Sequence, residues 1–424
     1  MSTSTHTSHA TTDHLSGRLA VGVFLAFALA YFFSALVRAI TATLSPTLTV
    51  ELNLSAQDLG LLAGGYFLGF SLTQLPMGRW LDRYGPKKVI LAFLSVAVLG
   101  CLAFAWADSF LGLLAARMLC GMGVSACLMA PLTGYRRWLN ASTQLRTNSW
   151  MLMTGSSGML AATLPVQWLM PIWGWRALFV MLAGMIALSM VLIAWVVPCW
   201  QAMSTSPEAA QASPEDDGSY QVIWRSPYFW RLAPLGFFSY GGMVAIQTLW
   251  AGPWMTQVAG WTAAQAAGGL FAINLSMLLT FWLWGLVTPM VVKRGIPVER
   301  LIAWGLPLTY GVLGVMVWLG ASIGEGAALG LALFCVSSTF VALAQPAVGM
   351  AFPAHLAGRA LSAYNLIIFA GIFAVQWGIG LAVDAARSMG WGEVAAYQLA
   401  MSAYAVSSCL SWLYFVLNKS VQSR

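Results

Sequence analysis

Apolar residues run along this chain in blocks of twenty or more positions, broken by short clusters of charge, Pro, Gly and Asn. The hydrocarbon core of a bilayer is crossed by about 20 apolar residues in a helix. Cutting the chain at its polar clusters predicts twelve such spans. Six lie at 19–47, 58–78, 89–107, 110–134, 147–170 and 176–198, and six at 230–255, 264–291, 301–320, 327–352, 360–385 and 394–417. Several contain Gly or Pro, which bundled membrane helices accommodate. The period-two alternation of a membrane β-barrel is missing. The pattern predicts an all-α membrane protein.

Composition agrees. Of 424 residues, 59% are hydrophobic and 8% charged, and the mean hydropathy is +0.77. A soluble domain carries roughly a quarter charged residues, so a soluble enzyme is excluded. The net charge of +7 comes from 20 Lys+Arg and 13 Asp+Glu scattered between apolar blocks. That gives no basic face for nucleic acid, and the expected partner is the lipid bilayer.

The basic residues set an orientation. With the N-terminus inside, the inner segments hold Arg18, Arg79, Arg83, Lys87, Lys88, Arg136, Arg137, Arg146, Arg225, Arg231, Lys293, Arg294, Arg300, Arg359, Lys419 and Arg424, which is 16 of the 20. Only Arg176 and Arg387 fall outside, while Arg38 and Arg117 lie within spans. Basic loops resist translocation, so both termini are expected in the cytoplasm and the chain in the cytoplasmic (inner) membrane. Residues 1–17 read as a disordered cytoplasmic tail whose His6, His9 and His14 are solvated. Of the six Cys, no two share an outer loop, which predicts neither disulfide nor metal cluster.

A polar stretch at 199–228, carrying Glu208, Glu215, Asp216 and Asp217, reads as a flexible cytoplasmic linker. It separates a bundle at 18–198 from one at 229–424, each with six spans. The halves echo one another: Arg83-Tyr84-Gly85-Pro86-Lys87 has a counterpart 210 positions on in Lys293-Arg294-Gly295-Ile296-Pro297, and Arg146 one at Arg359, 213 on. Paired six-helix units of this kind are the parallel-repeat design of alternating-access transporters.

The loop after span two reads Gly78-Arg79-Trp80-Leu81-Asp82-Arg83-Tyr84-Gly85-Pro86-Lys87-Lys88. Gly78 would let two helices approach closely and Gly85 would supply a turn. Asp82 could take hydrogen bonds from helix N-terminal amides or pair with a cation across the two halves. This loop closely resembles the Gly-x-x-x-Asp-Arg-x-Gly-Arg/Lys-Arg/Lys loop of the major facilitator superfamily, and the resemblance extends to the six-plus-six layout and the linker. It implies two six-helix bundles related by a pseudo-two-fold axis and transport by alternating access. It further implies that Gly78, Asp82, Arg83, Gly85 and Lys87 form a conformational latch closing the cytoplasmic side. The second half has Val292 at the Asp position, so the latch is expected to be one-sided. Leu114–Gly123, with Arg117 and Gly121, resembles the family's fourth-span signature, and Gly174-Trp175-Arg176 the opening of its sixth. The fifth-span Gly-x-x-x-Gly-Pro pattern of the family's drug antiporters is not met by Gly155–Leu160.

Ionisable groups within a span are costly and mark function by default. Arg38 lies thirteen positions before Glu51 and Arg117 nine after Asp108, about 20 and 13 Å from the outer side at 1.5 Å per residue. Both stay charged and offer a planar fork that fits carboxylate or phosphate, so both are candidate substrate-binding residues. Arg38 with Pro46, and a second Arg in span four, resemble the superfamily's organophosphate and organic-anion branches, where such residues bind the substrate's anionic group. The carboxylates that proton-coupled members place beside them are here Val37 and Val124. Asp384 is the deepest acid and the candidate for proton coupling. From the second half, Gln247, Trp250, Asn274, Tyr364 and Asn365 are candidate substrate contacts, with Tyr240, Gln345 and Gln376 as further polar groups.

The expected function is a monomeric secondary active transporter taking up a small organic anion by alternating access in proton symport. The alternative is a proton-driven exporter of drugs or metabolites. No phosphate loop ends in Gly-Lys-Ser/Thr and no acyl-transfer constellation is visible. No catalytic residue, cofactor or metal is therefore expected, and the chain is not read as an enzyme.

Overall fold

The computed structural model describes residue 15 and residues 17–199 and 220–418. Most of the expected tail at 1–17 and of the expected linker at 199–228 lies outside the described residues. Within them the chain folds into twelve long helices. The first half holds α1 (Gly17–Leu52), α2 (56–84, with a turn at Thr73), α3 (86–106), α4 (Phe110–Trp138), α5 (141–173, with a turn at 162–163) and α6 (175–196). A short helix, Tyr220–Trp224, leads into the second half. There follow α7 (Pro227–Val258), α8 (Ala263–Lys293), α9 (Val298–Leu319), α10 (327–350), α11 (Ala354–Ser388) and α12 (Glu393–Leu417).

Span count and order follow the apolar blocks, but several helices outrun them. The charged stretch at 79–88, expected as a loop, is helical up to Tyr84 and again from Pro86. Only Gly85 leaves helical geometry, at φ 77°. Glycine reaches that region without strain, and Pro86 opens the next helix where its missing N–H has no intrahelical partner to lose. One residue thus makes the whole reversal. The counterpart Gly295 also has positive φ, 81°, so the sequence echo is repeated in the backbone.

Small residues set the packing, as they do where helices associate without a hydrophobic drive. A Cβ on Gly121 would strike the Tyr66 carbonyl, and one on Gly69 the Met118 carbonyl, so α2 and α4 touch backbone to backbone. Gly158 lies against Phe32 of α1 in the same way, and Gly371 of α11 against Phe237 of α7. Gly78 does not belong to this set. A Cβ there would meet nothing within 4 Å, so the expected close approach is corrected: Gly78 lies on an open helix face.

Charged groups gather at two ends. One end carries Lys87, whose Nζ donates to the Val197 carbonyl at 2.7 Å, and Arg231, whose Nε donates to the Phe415 carbonyl at 3.0 Å. The opposite end carries Glu51, which accepts from Trp175 Nε1 at 2.7 Å and from Arg176 at 2.5 Å. Arg176 also reaches Asp108 at 3.3 Å. The Gly174-Trp175-Arg176 stretch therefore ties the α1–α2 and α3–α4 connections together. Gly174, at φ 70°, makes the turn that aims it.

Candidate functional site

Arg38 sits partway down α1, half-buried, with the aromatic ring of Phe70 of α2 under its guanidinium at 5.8 Å. The ionisable groups facing it are the phenols of Tyr31 and Tyr66 from the first half and Tyr240 from the second. Phe70 stacks on Phe369 of α11, ring centres 4.1 Å apart, and Phe67 stacks on the same ring at 6.2 Å. The guanidinium therefore lies where the two bundles meet. Its Nε is buried without a hydrogen-bond partner. Among the described residues, no carboxylate pairs with it. A fixed cation with one unbonded donor thus lies among aromatic rings from both halves.

Arg117 is placed differently. It is 1% exposed and lies inside the first bundle. Nη1 donates to the Val37 carbonyl at 3.2 Å and Nη2 to Thr41 Oγ1 at 2.6 Å. The rings of Tyr66 and Phe104 cover it at 5.2 and 5.9 Å. All of these partners belong to the first half. Arg117 braces the turn of α1 that carries Arg38, and only its Nε lacks a partner.

The second-half candidates are turned toward one another. Gln247 Nε2 donates to Asn274 Oδ1 at 3.0 Å, whose own amide donates to the Leu270 carbonyl. Trp250 Nε1 donates to the Gln376 carbonyl at 3.0 Å, and Gln345 to Asn365 at 2.6 Å. Tyr364 donates to the Leu232 carbonyl at 3.2 Å. Gln247 and Trp250, three residues apart in a segment wound as a π-helix over 246–250, take different partners. Buried amides in low dielectric take the nearest partner. Tyr31 and Tyr66 were missed by sequence reasoning. Tyr31 had a signal, being seven residues before Arg38 and so on the same face of α1; Tyr66 had none.

Two gates flank the site. At the end bearing Glu51, Asp384 of α11 reaches the first turn of α2: Ala56 N donates to Oδ1 at 3.3 Å and Gln57 N to Oδ2 at 2.6 Å. A carboxylate at a helix N-terminus satisfies orphan amides and complements the helix dipole. Arg387 holds Asp384 at 2.9 Å and also pairs with Glu393. Below this clasp, a Cβ on Gly60 would strike the Gln376 carbonyl, and one on Gly380 the Ala56 carbonyl. The halves also touch where Gly252 of α7 meets the Ala42 carbonyl of α1, a Cβ there falling 2.8 Å away. Beside the clasp is a cavity of about 390 Å³, lined from both halves by Ser45, Thr49, Thr256, Gln257, Glu393 and Tyr397.

At the opposite end the expected latch is not engaged. Asp82 is exposed and makes no hydrogen bond or ion pair among the described residues. Arg83 lies over Tyr84 at 5.3 Å. Instead Tyr220, from the short helix ahead of α7, donates to the Leu75 carbonyl at 3.1 Å, close to Arg79, Asp82 and Arg359. Burial lifts its phenol above the ordinary value. The halves are clasped at the Asp384 end and unlatched at the Asp82 end.

Twelve long helices in two repeated sets, most of them long and apolar enough to cross a membrane, make up a multi-pass membrane protein. The Major Facilitator Superfamily model matches residues 27–376. The chain belongs to that superfamily. It is 28% identical over 325 residues to the inner membrane transport protein YajR of Escherichia coli, covering 74% of this chain and 66% of that one. It is 28% identical over 170 residues to the niacin transporter NiaP of Acinetobacter baylyi (40% and 38% covered) and 29% over 163 to the hexuronate transporter of Escherichia coli (38% and 37%). The chain thus spans less than two thirds of these relatives' length. A crystal structure of a bacterial homologue of the human lysosomal transporter Spinster, inward-facing and unoccupied, matches with a TM-score of 0.75 at 17% identity, over 95% of this chain and 97% of that one.

Proposed function

We propose that this chain takes up a small organic anion bearing one carboxylate, with Arg38 as its anchor and a proton as the coupling ion. The observation that carries the reading is the Arg38 guanidinium, which faces both halves with a buried Nε unused and, among the described residues, no carboxylate paired with it. Because Arg117 is occupied by Val37 and Thr41, the site offers one cation, which suits a monocarboxylate better than a phosphate dianion. Niacin and hexuronates, named for two of the relatives, are carboxylic acids. The rings of Phe70 and Phe369 would hold the remainder of the ligand.

Asp384 is the coupling residue in this reading. Protonation removes the charge that holds the α2 amides and Arg387, which loosens the clasp and admits substrate. The positive-inside bias puts the clasp outside and both termini in the cytoplasm, in the inner membrane for a bacterial host. Gln247, Trp250, Asn274, Tyr364 and Asn365 then serve as supports of the second bundle. Gly85 and Lys87 shape the inner latch, and Asp82 and Arg83 close it when the clasp opens.

The test is uptake of labelled niacin and glucuronate, among a panel of acids, into proteoliposomes under an inward proton gradient. The wild type accumulates an acid from the panel, and Arg38→Ala abolishes that uptake at unchanged protein yield. Equal uptake by Arg38→Ala contradicts the reading. Outward movement of cationic dyes with no acid uptake supports the exporter instead.

A further inference from the structure

Arg117 has a second neighbourhood that the transport reading does not use. Cys101 of α3 and Cys120 of α4 are both fully buried, and their sulfurs lie 3.8 Å apart. The Arg117 guanidinium, one turn before Cys120 on the same helix, lies within electrostatic reach of both sulfurs. No carboxylate pairs with Arg117 among the described residues. The helices touch at this point: a Cβ on Gly100 would fall 2.6 Å from Cys120 N and 3.0 Å from its sulfur. To form a disulfide the sulfurs must close from 3.8 Å to about 2.05 Å across this helix contact.

We propose that Cys101 and Cys120 are a modification site, a dithiol that peroxide converts to a reversible disulfide within the first bundle. The thiolate is the reacting species; the Cys101 sulfur, 3.8 Å away, can donate to that of Cys120, and the Arg117 guanidinium stands within electrostatic reach. Hydrogen peroxide, small and membrane-permeant, is the oxidant. One thiolate attacks a peroxide oxygen, the O–O bond breaks, and the departing hydroxide takes up a proton to become water, leaving a sulfenic acid. The second sulfur then attacks the sulfenic sulfur, forming the S–S bond and releasing the second water. Two thiols lose two electrons and two protons; one peroxide gains them. Sequence spacing does not disclose the pair, because the two cysteines lie on different spans and meet only through α3–α4 packing. The disulfide ties two helices of one bundle, so the rocking of the halves is left free and the bundle is stiffened.

The test treats the purified protein with hydrogen peroxide, then counts thiols after denaturation and maps peptides. Two of the six thiols disappear, the mass falls by about 2 Da, and the cross-linked peptide joins residues 101 and 120. The melting temperature rises, and dithiothreitol reverses all three changes. Cys101→Ser and Cys120→Ser each abolish the mass loss. An unchanged thiol count, a gain in mass from sulfinic acid, or a cross-link joining other cysteines overturns the proposal. A mass loss that survives either serine variant does the same.

Discussion

At the residue scale, two arginines that look alike in sequence are given different work by their neighbours. Arg38 faces phenols from both halves and, among the described residues, pairs with no acid. Arg117 faces inward and holds Val37 and Thr41. Lys in place of Arg38 keeps the charge but loses the planar fork, so Arg38→Lys should retain a fraction of uptake, with a raised KM as the main defect. Thr41→Val tests the brace. It leaves a charged donor buried without its acceptor, at a cost of about 1–3 kcal/mol, and should lower the melting temperature while the specificity among acids is kept. Kinetics and thermal unfolding of the two variants separate the roles. Depth in the membrane was legible for both arginines from distance to the nearest loop. Which way each guanidinium turned was not, because that depends on Thr41, Tyr66 and Tyr240, which come from different helices or have no charge to mark them.

At the element scale, the register between α2 and α11 decides which end is shut. Gly60 and Gly380 allow backbone contact across the two halves. A methyl group on Gly60 opposes that contact without entering the core of either bundle. Overpacking costs about 1–3 kcal/mol, enough to move a two-state equilibrium by about tenfold. Gly60→Ala should therefore raise the rate at which a polar maleimide labels Thr49→Cys in the cavity beside the clasp, with the native cysteines replaced by serine. An unchanged rate would mean that the clasp alone keeps this end closed. Number, order and approximate extent of the spans were readable from apolar blocks, since each must cross about 30 Å of hydrocarbon. The helical continuation through 79–84 was not, because its charges lie on helix turns that extend beyond the apolar core and look like a loop in composition. The pairing of α2 with α11 was equally hidden: it rests on glycines facing carbonyls 316 and 324 positions apart, and spacing along the chain carries no trace of it.

At the scale of the whole molecule, the asymmetry of the two gates gives the direction of control. The clasp joins Asp384 and Arg387 to the start of α2, while Asp82 at the opposite end is exposed. Asp384→Asn mimics the protonated acid and should uncouple the carrier. Exchange of substrate across the membrane continues, but accumulation no longer follows the proton gradient. Loss of exchange as well as accumulation would make Asp384 structural only. The repeat in sequence foretold two bundles; it did not foretell this clasp, because the depth of Asp384 along its span carries no trace of the helix end it caps.

The anion anchor is tested most directly by thermal shift of the purified protein, comparing carboxylic acids with their carboxamides, molecules of the same shape and no charge. The wild type should be stabilised by at least one acid and not by the matching amide, and Arg38→Ala by neither. Stabilisation of Arg38→Ala by the same acid to the same extent, or of the wild type equally by acid and amide, would contradict the assignment of Arg38 as the group that receives the cargo's charge.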